Sequence, residues 1–127
     1  PNLGIISDVG ASWFVPNLIG RARANGMGLL GEDISAKQAK EWGLIWDCVP
    51  DEELIPKAEE IAKKLANGPI TGLKEIVKAH DKALSGSLSE QLDYEKETQR
   101  IRLDSKDFRE GVTAFAEKRK PNFKDLD

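Results

Sequence analysis

The sequence predicts a predominantly α-helical chain with one short strand near residues 44–49. From residue 51 onward, apolar residues recur every three to four positions in four successive stretches, which is the spacing of helices that bury one face. The strand-like run, Leu44-Ile45-Trp46-Asp47-Cys48-Val49, ends at Pro50. Because a single strand cannot form a sheet, we expect these 127 residues to be a piece of a larger α/β protein.

Three short helices are predicted before the strand, and glycines mark their ends. The helices cover residues 11–19, 21–30 and 36–42. Pro16 predicts a kink in the first helix, and Ser35 is a typical N-cap for the third because its hydroxyl can accept a backbone N–H of the first turn. Each helix is followed by a residue that suits the left-handed conformation common past a helix C-terminus: Gly20, Gly31 and Gly43.

Four further helices are predicted after the strand. They run from Asp51 to a stop at residues 67–69, from Thr71 to Leu84, from a cap at Ser87 or Ser89 through Ile101, and from Asp107 to about Arg119. In the last helix, the apolar spacing places Phe108, Val112 and Phe115 on the inward face. The charged faces of these helices are typical of solvated surfaces.

Composition excludes several classes of function. Hydrophobic residues make up 39% of the chain and charged residues 32%, and the formal net charge of −3 argues against a nucleic-acid-binding protein. With one cysteine, Cys48, and one histidine, His80, the sequence offers no intrachain disulfide and no familiar cysteine-rich or multi-histidine metal site. No apolar run approaches the roughly 18 residues of a membrane span and no targeting segment is recognisable, so we expect no membrane association and a cytoplasmic location.

Residues 4–12 place one carboxylate between an apolar run and a helix start. Gly10 permits a tight bend, and the residues after it can cap the first helix. Asp8 would then lie at a helix N-terminus, where the helix dipole favours its anion and burial against Trp13 and Phe14 favours its protonated form. On the local sequence alone, Asp8 is either a helix cap or an acid placed for proton transfer.

Three segments of the sequence resemble motifs of one known family. Residues 4–12 are similar to a Gly-x-x-Pro-x-x-Gly-Gly-Thr turn, residues 30–45 to a Thr-Gly-x-x-x-Ser-Ala-x-x-Ala-x-x-x-Gly-Leu-Val segment, and residues 110–123 to a terminal helix. The departures in the first segment are Ser7, Ala11 and Ser12. In this order, over nearly the whole chain, the motifs resemble the C-terminal half of the enoyl-CoA hydratase/isomerase family, in the crotonase superfamily.

The resemblance implies an α/β parent protein with the crotonase ββα spiral fold. Residues 1–50 would be the C-terminal end of the core domain and carry the Asp8 turn, and residues 51–127 would be a helical oligomerisation region of a trimer or hexamer. The implied chemistry is proton transfer on a coenzyme A thioester, whose enolate is stabilised by two backbone N–H groups of an oxyanion hole. Loops of the preceding half would build that hole, so we expect the isolated chain to be inactive. Coenzyme A enters as part of the substrate, and no permanently bound cofactor is implied.

The resemblance also implies roles for single residues near the first turn. Members with an aspartate at the position of Asp8 are similar to two isomerase groups, the ring-epoxide isomerases of phenylacetyl-CoA breakdown and the dienoyl-CoA isomerases. Residues 13–20 and 42–46 look more like the first group. Asp8 would be the acid/base that moves a proton between carbons. The candidates for the wall of the acyl pocket, with core packing as the alternative, are Trp13, Phe14 and Leu18.

Two residues near the C-terminus match positions that, in relatives, reach the coenzyme A of a neighbouring subunit. Phe115 would lie against adenine, and Lys118 would pair its ammonium with phosphate. The alternatives are a core position for Phe115 and a solvated face for Lys118. Since the two residues are three apart, helical geometry predicts that both point the same way, with Phe115 partly buried and Lys118 exposed at the rim.

Two other functions remain open at this point. Hydratases of the family use two glutamates, one of which would immediately precede Pro1. Glutamate at that position would indicate a hydratase or a dienoyl isomerase, and an apolar residue would indicate the ring-epoxide type. The chain can also serve as a non-catalytic helical assembly module. The sequence does not determine the acyl substrate.

Overall fold

The structure, a computed structural model, describes residues 3–124 as a set of seven α-helices. These are α1 (Ala11–Ile19), α2 (Arg21–Leu30), α3 (Ala36–Trp42), α4 (Asp51–Ala66), α5 (Ile70–Ala83), α6 (Leu88–Leu103) and α7 (Lys106–Ala116). The chain divides into two compact units, Pro1–Leu54 and Ile55–Asp127. No helix in the described range is long and apolar enough to cross a membrane.

The first unit contains α1, α2 and α3, and local signals set their ends. Gly20, with φ 80°, separates α1 from α2, which pack against each other. Ser35 caps α3 by accepting a hydrogen bond from the backbone N–H of Gln38, as predicted. The Arg23 guanidinium lies 5.3 Å from the centre of the Trp42 ring, which links α2 to the end of α3.

The strand predicted for residues 44–49 is wrong, because residues 44–46 form bends and residues 47–49 have no regular secondary structure. The backbone N–H groups of Leu44 and Ile45 both donate to the carbonyl of Ala39, at 2.9 and 3.4 Å, and so fold back onto the end of α3. Lys40 pairs with Asp47, whose carboxylate also accepts the backbone N–H of Cys48. These donors are used within the unit, so the segment forms no ladder within residues 3–124.

The second unit is built from α5, α6 and α7, with most of α4. Helix α6 packs against both α5 and α7. Tyr94 donates a hydrogen bond to Glu75 at 3.2 Å, and Gln91 donates to the carbonyl of Ala79 at 3.2 Å, so polar contacts join α6 to α5. Of the two predicted caps for α6, Ser87 is the one used, in a capping box with Glu90.

Apolar burial in each unit is small. Within residues 3–124 the buried apolar residues are Ile19, Ala39 and Ala114. Phe115, predicted to face inward, is 86% exposed, and Phe108 and Val112 are about half exposed, at 45% and 50%. That inward assignment is therefore wrong for Phe115. The helices present apolar faces that residues of their own unit leave uncovered.

Candidate functional site

The turn at Asp8 is formed by backbone contacts. The backbone N–H of Ala11 donates to the carbonyl of Asp8 at 2.9 Å, and the two residues between them have positive φ, 52° at Val9 and 82° at Gly10. Two positive φ values at the centre are the mark of a type I′ turn. Helix α1 begins directly after it, with Gly10 as N-cap and no side-chain cap bond. The interpretation of Asp8 as a side-chain helix cap is therefore wrong.

Val9 is strained in this turn. A β-branched residue at φ 52° is an outlier, and such a backbone costs about 1–3 kcal/mol unless its surroundings impose it. Its side chain is 95% exposed, so packing of that side chain does not compensate for the strain. The Asp8 side chain is also exposed, and the burial expected for it against Trp13 and Phe14 is absent. The turn thus presents a carboxylate on a strained backbone, which is typical of functional sites.

Two aromatic side chains of α1 lie beside the turn. The rings of Trp13 and Phe14 meet edge to face, with centres 5.0 Å apart and planes at 90°. A Cβ added at Gly10 would lie 3.0 Å from Phe14 Cε2, so the Phe14 ring lies close to the turn and would have to shift to accommodate a side chain there. The predicted acyl-wall residues Trp13, Phe14 and Leu18 are 49%, 55% and 53% exposed, whereas Ile19 of the same helix is buried. In the first unit they are therefore available to a ligand or to further protein.

A second candidate segment follows α7, which ends at Ala116, three residues before the predicted end. Lys118 has φ 54°, its N–H donates to the Phe115 carbonyl at 3.2 Å, and the N–H of Arg119 donates to the Ala114 carbonyl at 3.0 Å. This pair of bonds is a Schellman motif, in which glycine usually holds the left-handed position. A non-glycine residue there costs about 1–2 kcal/mol.

The residues around Lys118 have distinct environments. Phe115 is 86% exposed, and Lys118 is exposed as predicted. Lys118 lies beyond the helix, so the helical spacing from which a common direction was predicted does not apply to it. Within residues 3–124 its ammonium forms no ion pair.

Glu110 holds the chain just beyond Lys118. The guanidinium of Arg119 donates to Glu110 Oε1 at 2.6 Å and to Oε2 at 3.0 Å, and Arg119 Nε also donates to Glu117 at 2.6 Å. The backbone N–H of Asn122 donates to Glu110 Oε1 at 2.7 Å. The Arg119 hydrogen bond, followed by that of Asn122, lowers the pKa of Glu110 from 4.5 to about 2. The same carboxylates raise the pKa of Arg119.

Sequence reasoning missed this network. Glu110 and Arg119 both lie in the terminal motif, but nine residues separate them and no helical spacing links a residue of α7 to one past its end. The strain at Val9 was also missed, since no sequence pattern marks a valine for positive φ. Among the described residues, no cluster of histidine, cysteine, aspartate or glutamate is suited to a metal ion.

Comparison with known proteins identifies the family of this chain. The model of the enoyl-CoA hydratase/isomerase family matches residues 1–126. The chain belongs to this family. The resemblance that the three motifs indicated is thereby confirmed, and with it membership of the crotonase superfamily and of an enzyme family that acts on coenzyme A thioesters.

Named family members are similar over nearly the whole chain. The 1,2-epoxyphenylacetyl-CoA isomerase of Escherichia coli K12 is 48% identical over 121 residues, which are 95% of this chain and 46% of the isomerase. A probable enoyl-CoA hydratase of Rhodobacter capsulatus is 42% identical over 95% of this chain and 47% of its own length. The chain spans about half the length of the curated relatives it matches.

Solved structures of the family confirm the fold. An enoyl-CoA hydratase from Bacillus anthracis has a TM-score of 0.91 with 36% sequence identity, covering 97% of this chain and 48% of that one. The family's crotonase fold therefore extends to this chain, which within residues 3–124 supplies helices and no strand. The prediction of a mainly helical part of an α/β fold is confirmed, apart from the strand.

Proposed function

We propose that this chain is part of an acyl-CoA isomerase in which Asp8 moves a proton between carbons of a coenzyme A thioester. The observation that carries the proposal is the exposed Asp8 carboxylate, which stands on a strained turn beside the exposed aromatic pair Trp13 and Phe14. The 48% identity to a 1,2-epoxyphenylacetyl-CoA isomerase supports a similar substrate, and with it a role in phenylacetate catabolism.

Asp8 would act as a base and then as an acid. Its carboxylate removes a proton from carbon next to the thioester carbonyl, the negative charge moves onto the carbonyl oxygen, and the protonated Asp8 returns a proton to another carbon. No water is added and the atoms balance, so the product is an isomer. The enolate oxygen needs hydrogen-bond donors, which we assign to the other half of the family's fold. Each such donor contributes about 10² to 10³ in rate.

The α1 aromatics would shape the acyl pocket. Trp13, Phe14 and Leu18 are each about half exposed, and the edge-to-face pair presents apolar ring surface on the helix that begins directly after the Asp8 turn. Aromatic side chains suit a flat ring-derived acyl group because such groups pack edge to face or offset. This supports the ring-epoxide class over a straight-chain substrate.

The segment after α7 would bind the nucleotide end of coenzyme A in a neighbouring subunit. Phe115 is exposed and available to lie against adenine, and Lys118 carries an ammonium suited to phosphate. We propose accordingly that residues 1–50 end the spiral core and that residues 51–127 are the oligomerising region of a cytoplasmic trimer or hexamer. The division of the chain after Leu54 and the uncovered apolar faces of the second unit support this.

Hydration is the second candidate, because a probable enoyl-CoA hydratase is 42% identical. A direct comparison of the two reactions in one enzyme separates the candidates. The full-length enzyme is supplied with 1,2-epoxyphenylacetyl-CoA and, in parallel, with a short enoyl-CoA, and kcat/KM is measured for isomerisation and for water addition. We expect isomerisation to exceed hydration by about 10² or more. Faster hydration would replace the isomerase assignment. The absence of both reactions, with thioester binding also lost, would favour an assembly module.

A further inference from the structure

We propose that Glu110 is a positioning residue for Lys118: through Arg119 and Asn122 it holds the segment after α7 so that the Lys118 ammonium is presented to the phosphates of an acyl-CoA. This inference rests on the proposed role of Lys118 in binding coenzyme A. It assigns different tasks to two adjacent cations. Arg119 fixes the backbone, and Lys118 contacts the ligand.

Lys118 has a constrained backbone. Its φ of 54° is unfavourable for a lysine, and the helix leaves it little choice, because its N–H and that of Arg119 both donate to carbonyls of the last turn. Such a conformation persists only where the surroundings impose it. The conformation of Lys118 therefore depends on the contacts that hold the residues after it.

Arg119 is anchored both through its backbone and through its side chain. Its backbone N–H donates to Ala114 at 3.0 Å, and its guanidinium makes two bonds to Glu110, at 2.6 and 3.0 Å. Glu110 lies one helical turn before Ala114, so the arginine side chain returns along α7 towards the turn that its own backbone contacts. The Glu110 side chain is 17% exposed, so the pair is partly shielded from water.

Asn122 is the second residue of this segment that Glu110 anchors. Its backbone N–H donates to Glu110 Oε1 at 2.7 Å, the same oxygen that accepts from Arg119. One carboxylate thus fixes two points of the segment that leaves Lys118. The low pKa of Glu110 agrees with this arrangement, because both donors favour its charged form.

Lys118, rather than Arg119, is the cation that is left for a ligand. Arg119 donates to Glu110, to Glu117 and to the Lys120 carbonyl, so its guanidinium is occupied. The Lys118 ammonium forms no ion pair within residues 3–124. A compact ammonium on a fixed backbone is suited to a phosphate as a point charge. The arrangement therefore separates positioning from binding.

The test uses the full-length enzyme and two substrates that differ only in the nucleotide: an acyl-CoA, and the matching acyl-pantetheine, which lacks the nucleotide phosphates. Glu110→Gln is compared with Glu97→Gln as a matched control, since Glu97 makes a similar two-bond pair with Arg100 on the exposed face of α6. Lys118→Ala and the double variant complete the set. KM and kcat are measured for each.

We expect Glu110→Gln to raise KM for the acyl-CoA by about threefold to tenfold with kcat unchanged, and to leave both constants for the acyl-pantetheine unchanged. Lys118→Ala should raise KM for the acyl-CoA in the same way. The double variant should be no worse than Lys118→Ala alone, because both single changes weaken the same contact between Lys118 and phosphate. Glu97→Gln should change neither constant. If Glu110→Gln folds poorly, Arg119→Lys takes its place, because it keeps the charge but not the two-bond geometry. It should raise KM for the acyl-CoA in the same way.

The outcomes distinguish the two claims. If Lys118→Ala raises KM and neither Glu110→Gln nor Arg119→Lys does, the positioning role is wrong while the coenzyme A contact stands. If Lys118→Ala leaves KM unchanged, the proposed contact is wrong and the positioning role falls with it. An equal loss with both substrates would show that Glu110 only stabilises the fold, and would also overturn the inference.

Discussion

Val9 and Lys118 share a backbone conformation that no other non-glycine residue within residues 3–124 adopts, with φ of 52° and 54°. Val9 directly follows the candidate acid/base Asp8, and Lys118 is the candidate phosphate contact. Positive φ in such residues is unfavourable and concentrates at functional sites. The two strained positions thus fall at the two segments to which we assign catalysis and coenzyme A binding.

The strain at Lys118 is measurable by comparing two substitutions that both remove the ammonium. Lys118→Gly relieves the left-handed backbone and Lys118→Ala retains it, so we expect the glycine variant to unfold with a free energy about 1 kcal/mol higher than the alanine variant. Denaturant titration of the full-length protein gives the difference. Both variants should bind acyl-CoA more weakly than the natural protein. Equal stability of the two variants would mean that residue 118 is not held at positive φ.

The strain at Val9 is tested in the same way at the other segment. Val9→Gly should be more stable than Val9→Ala by about 1 kcal/mol, because glycine alone adopts φ near 52° without steric cost. Turnover of Val9→Gly should fall a few-fold, because a freer turn holds Asp8 less firmly. Thermal melting and steady-state kinetics check the two parts. A glycine variant less stable than the alanine variant would contradict the turn geometry.

Acid should loosen the segment after α7 through Glu110. The pKa of Glu110 is about 2 in the folded chain against 4.5 ordinarily, so the unfolded chain binds the proton at higher pH. Its contribution to stability is therefore complete above about pH 4.5 and is lost as the pH falls towards about 2. We expect the stability difference between the natural protein and Glu110→Gln to shrink across that window in denaturant titrations at several pH values. A difference independent of pH would contradict the ion pair.

Salt should weaken the contribution of Lys118. An exposed ammonium paired with phosphate is screened over about 10 Å at 0.1 M ionic strength, and over less at higher salt. The ratio of KM for Lys118→Ala to that of the natural enzyme, about threefold to tenfold at low salt, should approach one at about 1 M salt. Kinetics at matched salt concentrations provide the ratio. A ratio that does not change with salt would point to a packing role.

Much of the fold follows from local sequence signals. The bounds of α1, α2 and α3 agree with those predicted, because glycine ends and the Ser35 cap act within a few residues of the helix they limit. The strand prediction for residues 44–49 was wrong because an apolar run does not specify the partner of its backbone N–H groups. Here the N–H groups of Leu44 and Ile45 donate to the Ala39 carbonyl. An apolar pattern indicates an element, but the hydrogen bonds that form in the folded chain decide it.

The candidate site was predicted less completely. Asp8 was proposed from the sequence because the motif surrounds it, whereas the strained backbone beside it depends on the turn as folded. The end of α7 was misplaced by three residues, because the residue in the glycine position is a lysine. The ion pair that we propose to position that lysine joins Glu110 and Arg119, nine residues apart, and such a contact exists only once the segment has folded back.

The central claim is that Asp8 transfers the proton, and the Asp8→Asn variant of the full-length enzyme tests it most directly. The amide keeps the size of the side chain but cannot accept and return a proton at neutral pH. Asp33→Asn, a change at another exposed aspartate of the first unit, is the matched control. We expect kcat for isomerisation to fall by about 10² or more in Asp8→Asn, with KM within about twofold of the natural value and the control unaffected. Turnover within about threefold of the natural enzyme would contradict the account.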